Sequence, residues 1–151
     1  MSEPELLYEV REGAAWMTIN RESRRNALNL PMIDLFFESL DKAAADDQVR
    51  VLCLTAAGDK AFCSGADLAS SFERADHVSG AKKYAKLLKN LAYYPKPIVG
   101  RINGHCLAGG MGLLLSCDIS YARDDVKFGT PEVSVGLFPM MIGYLIFRNA
   151  I

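Results

Sequence analysis

The 151-residue chain is half apolar and 23% charged, and 17 basic against 18 acidic side chains leave a net charge of -1. A chain of this size buries roughly two thirds of the surface its unfolded form exposes, so it needs no metal or disulfide staple. Low net charge with ample apolar content excludes a disordered tail. There is no basic excess to neutralise phosphates, which argues against a nucleic-acid partner.

Leu6–Arg11 and residues 15–19 are short apolar-rich runs separated by Glu12, Gly13 and Ala14, which predicts a hairpin. A polar loop with Arg21, Arg24 and Arg25 follows over 20–29. Asn29 then offers a helix cap with Pro31 in the first turn, and Ile33, Phe36, Phe37, Leu40 and Ala44 recur at helical spacing up to Asp46 and Asp47. Val51–Ala56 is a continuous apolar run of strand length, consistent with a buried strand. A second helix is predicted over 80–91, stopped by Pro95 and Pro97, then a strand over Ile98–Ile102 and a short helix over 109–117. Strands and helices alternate, so the class is α/β. Residues 139–151 read as a final helix whose Met140, Met141, Ile142, Leu145, Ile146 and Phe147 would be exposed unless another segment packs on them.

The four cysteines, at 53, 63, 106 and 117, form no C-x-x-C pair, and His77 and His105 lack ligand spacing to them, so no metal site is expected. The first five residues are acidic rather than basic, and no apolar run follows them, unlike a secretory signal. Gly, Pro and Glu132 break the weakly charged stretches 102–117 and 128–147 too often for a bilayer span. These features predict one soluble, reduced, cytoplasmic domain over 1–151, with a small molecule as partner and no membrane contact.

Eight of the twelve glycines lie between Gly100 and Gly143, and glycines crowd where backbone approaches backbone or a ligand. The run from Gly104 to Gly112 opens a helix, and free N–H groups at such a start suit an oxyanion or a phosphate. The same run also reads as plain turn punctuation. Glu132 is the only charged side chain between Lys127 and Arg148. A carboxylate in so apolar a run suits general acid/base work. It equally suits the first turn of a helix started by Thr130 and Pro131. Ser64 lacks the first glycine of a nucleophile elbow, since Phe62 stands there. Cys106 beside His105 reads as a packed thiol, and His77 as solvated. Asp67 is equally compatible with a turn and with catalysis.

Five stretches in order resemble the crotonase family, also called the enoyl-CoA hydratase/isomerase family. They are Asn20-Arg21 with Arg25-Asn26-Ala27-Leu28-Asn29; Ala61 through Leu68; Asn103-Gly104 through Ala108-Gly109-Gly110; Cys117-Asp118-Ile119; and Phe128-Gly129, Pro131-Glu132 and Val135-Gly136-Leu137. The resemblance implies a crotonase-like spiral of ββα units. It implies an acyl-CoA thioester as substrate, with coenzyme A part of that substrate and no separate cofactor. The thioester oxygen would lie between the N–H groups of Ala66 and Gly109, with Glu132 as acid/base. Arg25, Ala27, Leu28, Asp67 and Leu68 would meet the coenzyme A portion.

The chain departs from the family hydratases at one of two glutamate positions: Gly112 stands at the first and Glu132 at the second. That pattern is similar to the isomerase branch, which implies a 3-enoyl to 2-enoyl shift by a single glutamate. Hydration of the same substrates is the alternative, and Gly112→Glu would favour it if the helix tolerates the side chain. A non-catalytic coenzyme A-binding protein is the rival from another class, and RNA binding finds no basic stripe. The family continues into a helical C-terminal part that builds homotrimers or hexamers and covers the site. The resemblance implies that most of that part is lacking here.

Overall fold

The first strands, β1 (Leu6–Arg11) and β2 (Ala14–Ile19), form the predicted antiparallel hairpin. Glu12 and Gly13 both take positive φ, 52° and 79°, the two-residue turn whose twist suits a hairpin. Helix α1 (Leu30–Ala45) starts where Asn29 predicts it, because the Asn29 side chain accepts the Met32 N–H at 2.9 Å. Its Met32, Ile33, Phe36, Leu40 and Ala43 recur on one face and are buried. The computed structural model describes residues 3–67, 77–136 and 138–150.

From β3 (Val51–Ala56) onward the chain repeats a strand, strand, helix rhythm. The first repeat is β3, β4 (Ala61–Cys63) and α2 (His77–Ala92). The second is β5 (Ile98–Ile102), β6 (His105–Leu107) and α3 (Gly109–Leu115). The third is β7 (Ile119–Ala122), β8 (Phe128–Gly129) and, after a 3-10 turn at Pro131–Val135, α4 (Met140–Ala150). The first strand of each repeat joins a sheet ordered β1-β2-β3-β5-β7, and the second joins a smaller sheet ordered β4-β6-β8. Among the described residues every strand pairing except the hairpin is parallel. This is the ββα spiral that the resemblance implies. Helix α2 begins before the predicted residue 80 and α3 ends before the predicted 117. The strands β4, β6, β7 and β8 carry two to four residues each, too few for an alternation signal.

The core lies between the larger sheet and the helices, with Met17, Ile19, Phe36, Leu52, Leu54, Phe62 and Ile98 fully buried. Two asparagines stitch the sheets together. Asn103 donates to the Ala56 and Gly58 carbonyls at 2.7 and 2.6 Å. Asn26 donates to the Ala57 and Ala61 carbonyls at 3.0 and 2.7 Å. On α4, Ile142 and Leu145 are buried while Met140, Tyr144 and Phe147 are exposed. Among the described residues no helix is long and apolar enough to cross a membrane.

Cys63 and Cys106 are cross-strand neighbours in the small sheet and both are fully buried. Burial pushes the Cys63 thiol up to about 12 and raises Cys106 and Cys117 as well. The thiolate is the nucleophile that attacks a thiol reagent, so these protonated, packed groups are inert in the fold. At pH 8 the native chain is therefore expected to leave Cys63, Cys106 and Cys117 unmodified, and denaturant should expose all of them. Mass spectrometry of the labelled peptides checks this; prompt labelling of Cys63 in the native chain would contradict the packing.

Candidate active site

Ala66 follows β4 in the segment Ser64, Gly65, Ala66. It pairs with Leu28 as an isolated parallel bridge. The bridge uses the groups flanking Ala66: the Leu28 N–H donates to the Gly65 carbonyl at 2.7 Å, and the Asp67 N–H donates to the Leu28 carbonyl at 2.8 Å. A strand alternates the direction of successive peptide groups, so the Ala66 N–H faces away from Leu28. Gly65 has φ +100°, and a Cβ there would stand 2.7 Å from the Ala108 Cβ and 3.2 Å from the Gly109 nitrogen. Only glycine allows the two segments to close in this way.

On the facing side, Ala108 leads from β6 into α3 with φ 50° and ψ -124°. A non-glycine residue in that region stores strain of about 1–3 kcal/mol and persists only where its surroundings hold it. The Ala108 N–H donates to the Gly129 carbonyl at 2.9 Å, and its carbonyl accepts the Met111 N–H at 2.9 Å. Gly109 is the first residue of α3, where the N–H has no intrahelical acceptor. Among the described residues neither the Ala66 nor the Gly109 N–H donates a hydrogen bond. Two unsatisfied donors thus lie on adjoining segments.

Glu132 reaches the same region through the small sheet. β6 pairs with β8 at Leu107↔Gly129, so the residues after both strands emerge side by side. One exit is Ala108 and Gly109; the other is Thr130, Pro131 and Glu132. Glu132 sits in the first turn of the 3-10 segment Pro131–Val135, so the helix-start reading of its neighbours also holds. The side chain is half-buried, and its Oε2 is buried with no hydrogen-bond partner among the described residues. Such an atom forfeits hydrogen-bond energy unless something else meets it. The Tyr84 hydroxyl on α2 joins the pieces: it donates to the Gly109 carbonyl. Burial first, then Cys63, Cys106 and Glu132, hold its pKa well above the ordinary tyrosine value.

Other predicted contact residues are placed differently. Ala27 and Leu28 are buried, so their side chains belong to the core and only their backbone can meet a ligand. Arg25 has φ 52° and lines a cleft of about 590 Å³ with Glu22, Lys60, Ser64, His105 and Arg123. Neither Ala66, Gly109 nor Glu132 lines that cleft. Asp67 is buried, and its carboxylate meets Arg21 Nη2 at 2.8 Å. Arg21 also meets Glu5 at 2.8 Å and donates to the Ala27 carbonyl. Arg21 therefore clamps the loop that carries the Leu28–Ala66 bridge, a role that a polar loop residue does not advertise in sequence. Leu68, Leu137 and the His77 side chain lie outside the described residues.

A family model described as enoyl-CoA hydratase/isomerase matches residues 9–151. The chain belongs to the enoyl-CoA hydratase/isomerase family. It is 35% identical over 133 residues to a short-chain-enoyl-CoA hydratase of Clostridium acetobutylicum, which covers 85% of this chain and 51% of the relative. A crotonyl-CoA hydratase of Syntrophomonas wolfei is 32% identical over 144 residues, covering 92% of this chain and 54% of the relative. A solved enoyl-CoA hydratase of Shewanella pealeana superposes with a TM-score of 0.85 at 29% identity, covering 95% of this chain and 56% of that one. The chain thus spans little more than half the length of these relatives. All three are named hydratases, and none carries the isomerase preference.

Within this family member, Gly112 is the position that the sequence singles out. A Cβ there would overlap the Tyr84 hydroxyl and stand 2.8 Å from Ile142 Cγ2 and 3.0 Å from Leu88 Cδ1. The condition set on Gly112→Glu, that the helix tolerate the side chain, is therefore not met unless Tyr84, Leu88 and Ile142 move. Tyr84, Leu88 and Ile142 are all buried and already fill the space.

Proposed function

We propose that this chain binds an acyl-CoA thioester with its carbonyl oxygen between the Ala66 and Gly109 amides, and that Glu132 shuttles a proton at the acyl chain. The observation that supports it most is a pair of N–H donors that meet no acceptor among the described residues, on segments held together by Gly65, with Glu132, whose Oε2 has no partner among the described residues, leaving the paired strand. Coenzyme A belongs to the substrate, and the chemistry needs no further cofactor. In a 3-enoyl thioester, Glu132 takes the proton from C2, and the electron pair delocalises onto the thioester oxygen. Prearranged donors stabilise that developing charge without reorganising. Returning the proton to C4 moves the double bond to C2–C3 and restores the carbonyl. One carboxylate can do both, because C2 and C4 lie on the same face of a planar dienolate. Hydration is the second reading, favoured by the names of the relatives. It needs a positioned water, and the face at Gly112 is closed by Tyr84.

Gly109→Pro tests the donor pair. Gly109 is the first helical residue, so no intrahelical bond is lost, but the ring presses on Gly65 and restricts Ala108, so the melt of the variant is measured first. The expected result is a folded chain whose isomerisation falls by about 2.7–4 kcal/mol of barrier, the usual worth of one such donor. Unchanged turnover in the folded variant would remove Gly109 from the mechanism.

A further inference from the structure

Tyr84 sits on α2 with 4% of its surface exposed, and a buried phenol that reaches across to another helix has a specific partner to satisfy. That partner is the Gly109 carbonyl. A Cβ on Gly109 would stand 3.4 Å from the Tyr84 oxygen and 3.5 Å from the Gly65 Cα, so the hydroxyl and Gly65 both lie against Gly109. One turn further along α3, a Cβ on Gly112 would overlap the same hydroxyl. The tyrosine thus touches α3 at the two glycines on the face that looks toward α2.

We infer that Tyr84 is a positioning residue of the proposed thioester site: its hydroxyl fixes the orientation of Gly109, and hence of the Gly109 amide, and its presence requires glycine at 112. The inference rests on that site being a thioester site. The Gly109 nitrogen and carbonyl flank one Cα that has no side chain to anchor it. The residue before it is Ala108, in a strained conformation that needs support. A hydrogen bond to the carbonyl supplies it from outside the helix. The hydroxyl stays a protonated donor across any practical assay range, since burial holds it neutral. Its loss leaves the helix and the core in place but lets the amide drift from the position the developing oxyanion needs.

The test compares the parent chain with Tyr84→Phe. Kinetics use a 3-enoyl-CoA, and infrared difference spectra use a saturated short-chain acyl-CoA, whose thioester carbonyl stretch drops when two donors hold it. Tyr84→Phe is expected to lower kcat about tenfold with KM within about twofold, the pattern of an interaction made in the transition state. The bound carbonyl stretch should move back toward its value in water, with little change in melting temperature. Gly112→Ala approaches the same contact from the other side. It should lower kcat more in the parent than in the Tyr84→Phe background, where the overlap with the hydroxyl is gone and only the contacts with Ile142 and Leu88 remain. Additive losses would overturn the inference. So would an unchanged carbonyl stretch and kcat in Tyr84→Phe when the parent shows the drop. If the parent itself shows no drop on binding the thioester, the site reading fails, and the inference fails with it.

Discussion

Glu132→Gln is expected to abolish the double-bond shift, lowering turnover by about 10²–10⁴-fold, the usual share of a positioned acid/base. Glutamine keeps the size and polarity of the side chain but cannot take a proton from C2. The Oε2 atom already lacks a hydrogen-bond partner among the described residues, so the substitution breaks no hydrogen bond there. Fold and thioester binding should therefore survive, and the loss should fall on kcat. Isomerisation of a 3-enoyl-CoA, followed by the absorbance of the conjugated product, measures the effect. Hydration of the 2-enoyl-CoA by the parent chain should be slow by comparison, since misplacing a reacting water costs rate steeply. Near-parent isomerisation in Glu132→Gln, or fast hydration by the parent, would sink the single-carboxylate mechanism.

All of the larger sheet but the four-residue β7 was legible, because its features are local. The hairpin follows from Glu12-Gly13 between two apolar runs, α1 from Asn29 and the spacing of Ile33, Phe36 and Leu40, and β3 from an unbroken apolar run. The small sheet was not legible as structure, since β4, β6 and β8 carry only two or three residues each and owe their conformation to one another. Yet that sheet delivers Ala66, Gly109 and Glu132 to one place. Family resemblance is what proposes those residues for the site, and the isolation of Glu132 in an apolar run adds a local mark. Arg21 and Tyr84 escaped for a different reason. Arg21 finds Asp67 across 46 residues, and Tyr84 finds Gly109 across 25. Each obeys a local pattern, polar in a loop or apolar on a helix face, that hides its long-range partner. Gly112 shows the same limit: its lack of a side chain was visible, but the tyrosine that requires it was not.

Gly110→Ala should damage stability and turnover together, against what helix propensity alone predicts. Inside α3, alanine would ordinarily be favoured over glycine by about 1 kcal/mol. Here a Cβ would overlap the Cys63 carbonyl oxygen and stand 2.9 Å from the Cys63 Cβ and 3.1 Å from its carbonyl carbon. These are strand backbone and a fully buried thiol, so no flexible side-chain end can swing aside. The helix must back away from β4, and overpacking of this kind costs about 1–3 kcal/mol, occasionally more. At this chain length each kcal/mol lowers the melting temperature by about 2–4 °C, so a fall of about 2–12 °C is expected. The same movement carries Gly109 away from Gly65, where a Cβ would stand only 3.2 Å from the Gly109 nitrogen. The two amides then separate, and turnover should fall about 100-fold, because a displacement near 1 Å suffices for that. Gly129→Ala is the matched control: its nearest neighbour would be Leu107 Cδ2 at 3.7 Å, an ordinary contact. A parent-like melt and parent-like turnover in Gly110→Ala would show that α3 and β4 can part without cost, and the close junction of Gly65 and Gly109 could not then be what holds the two donors in place.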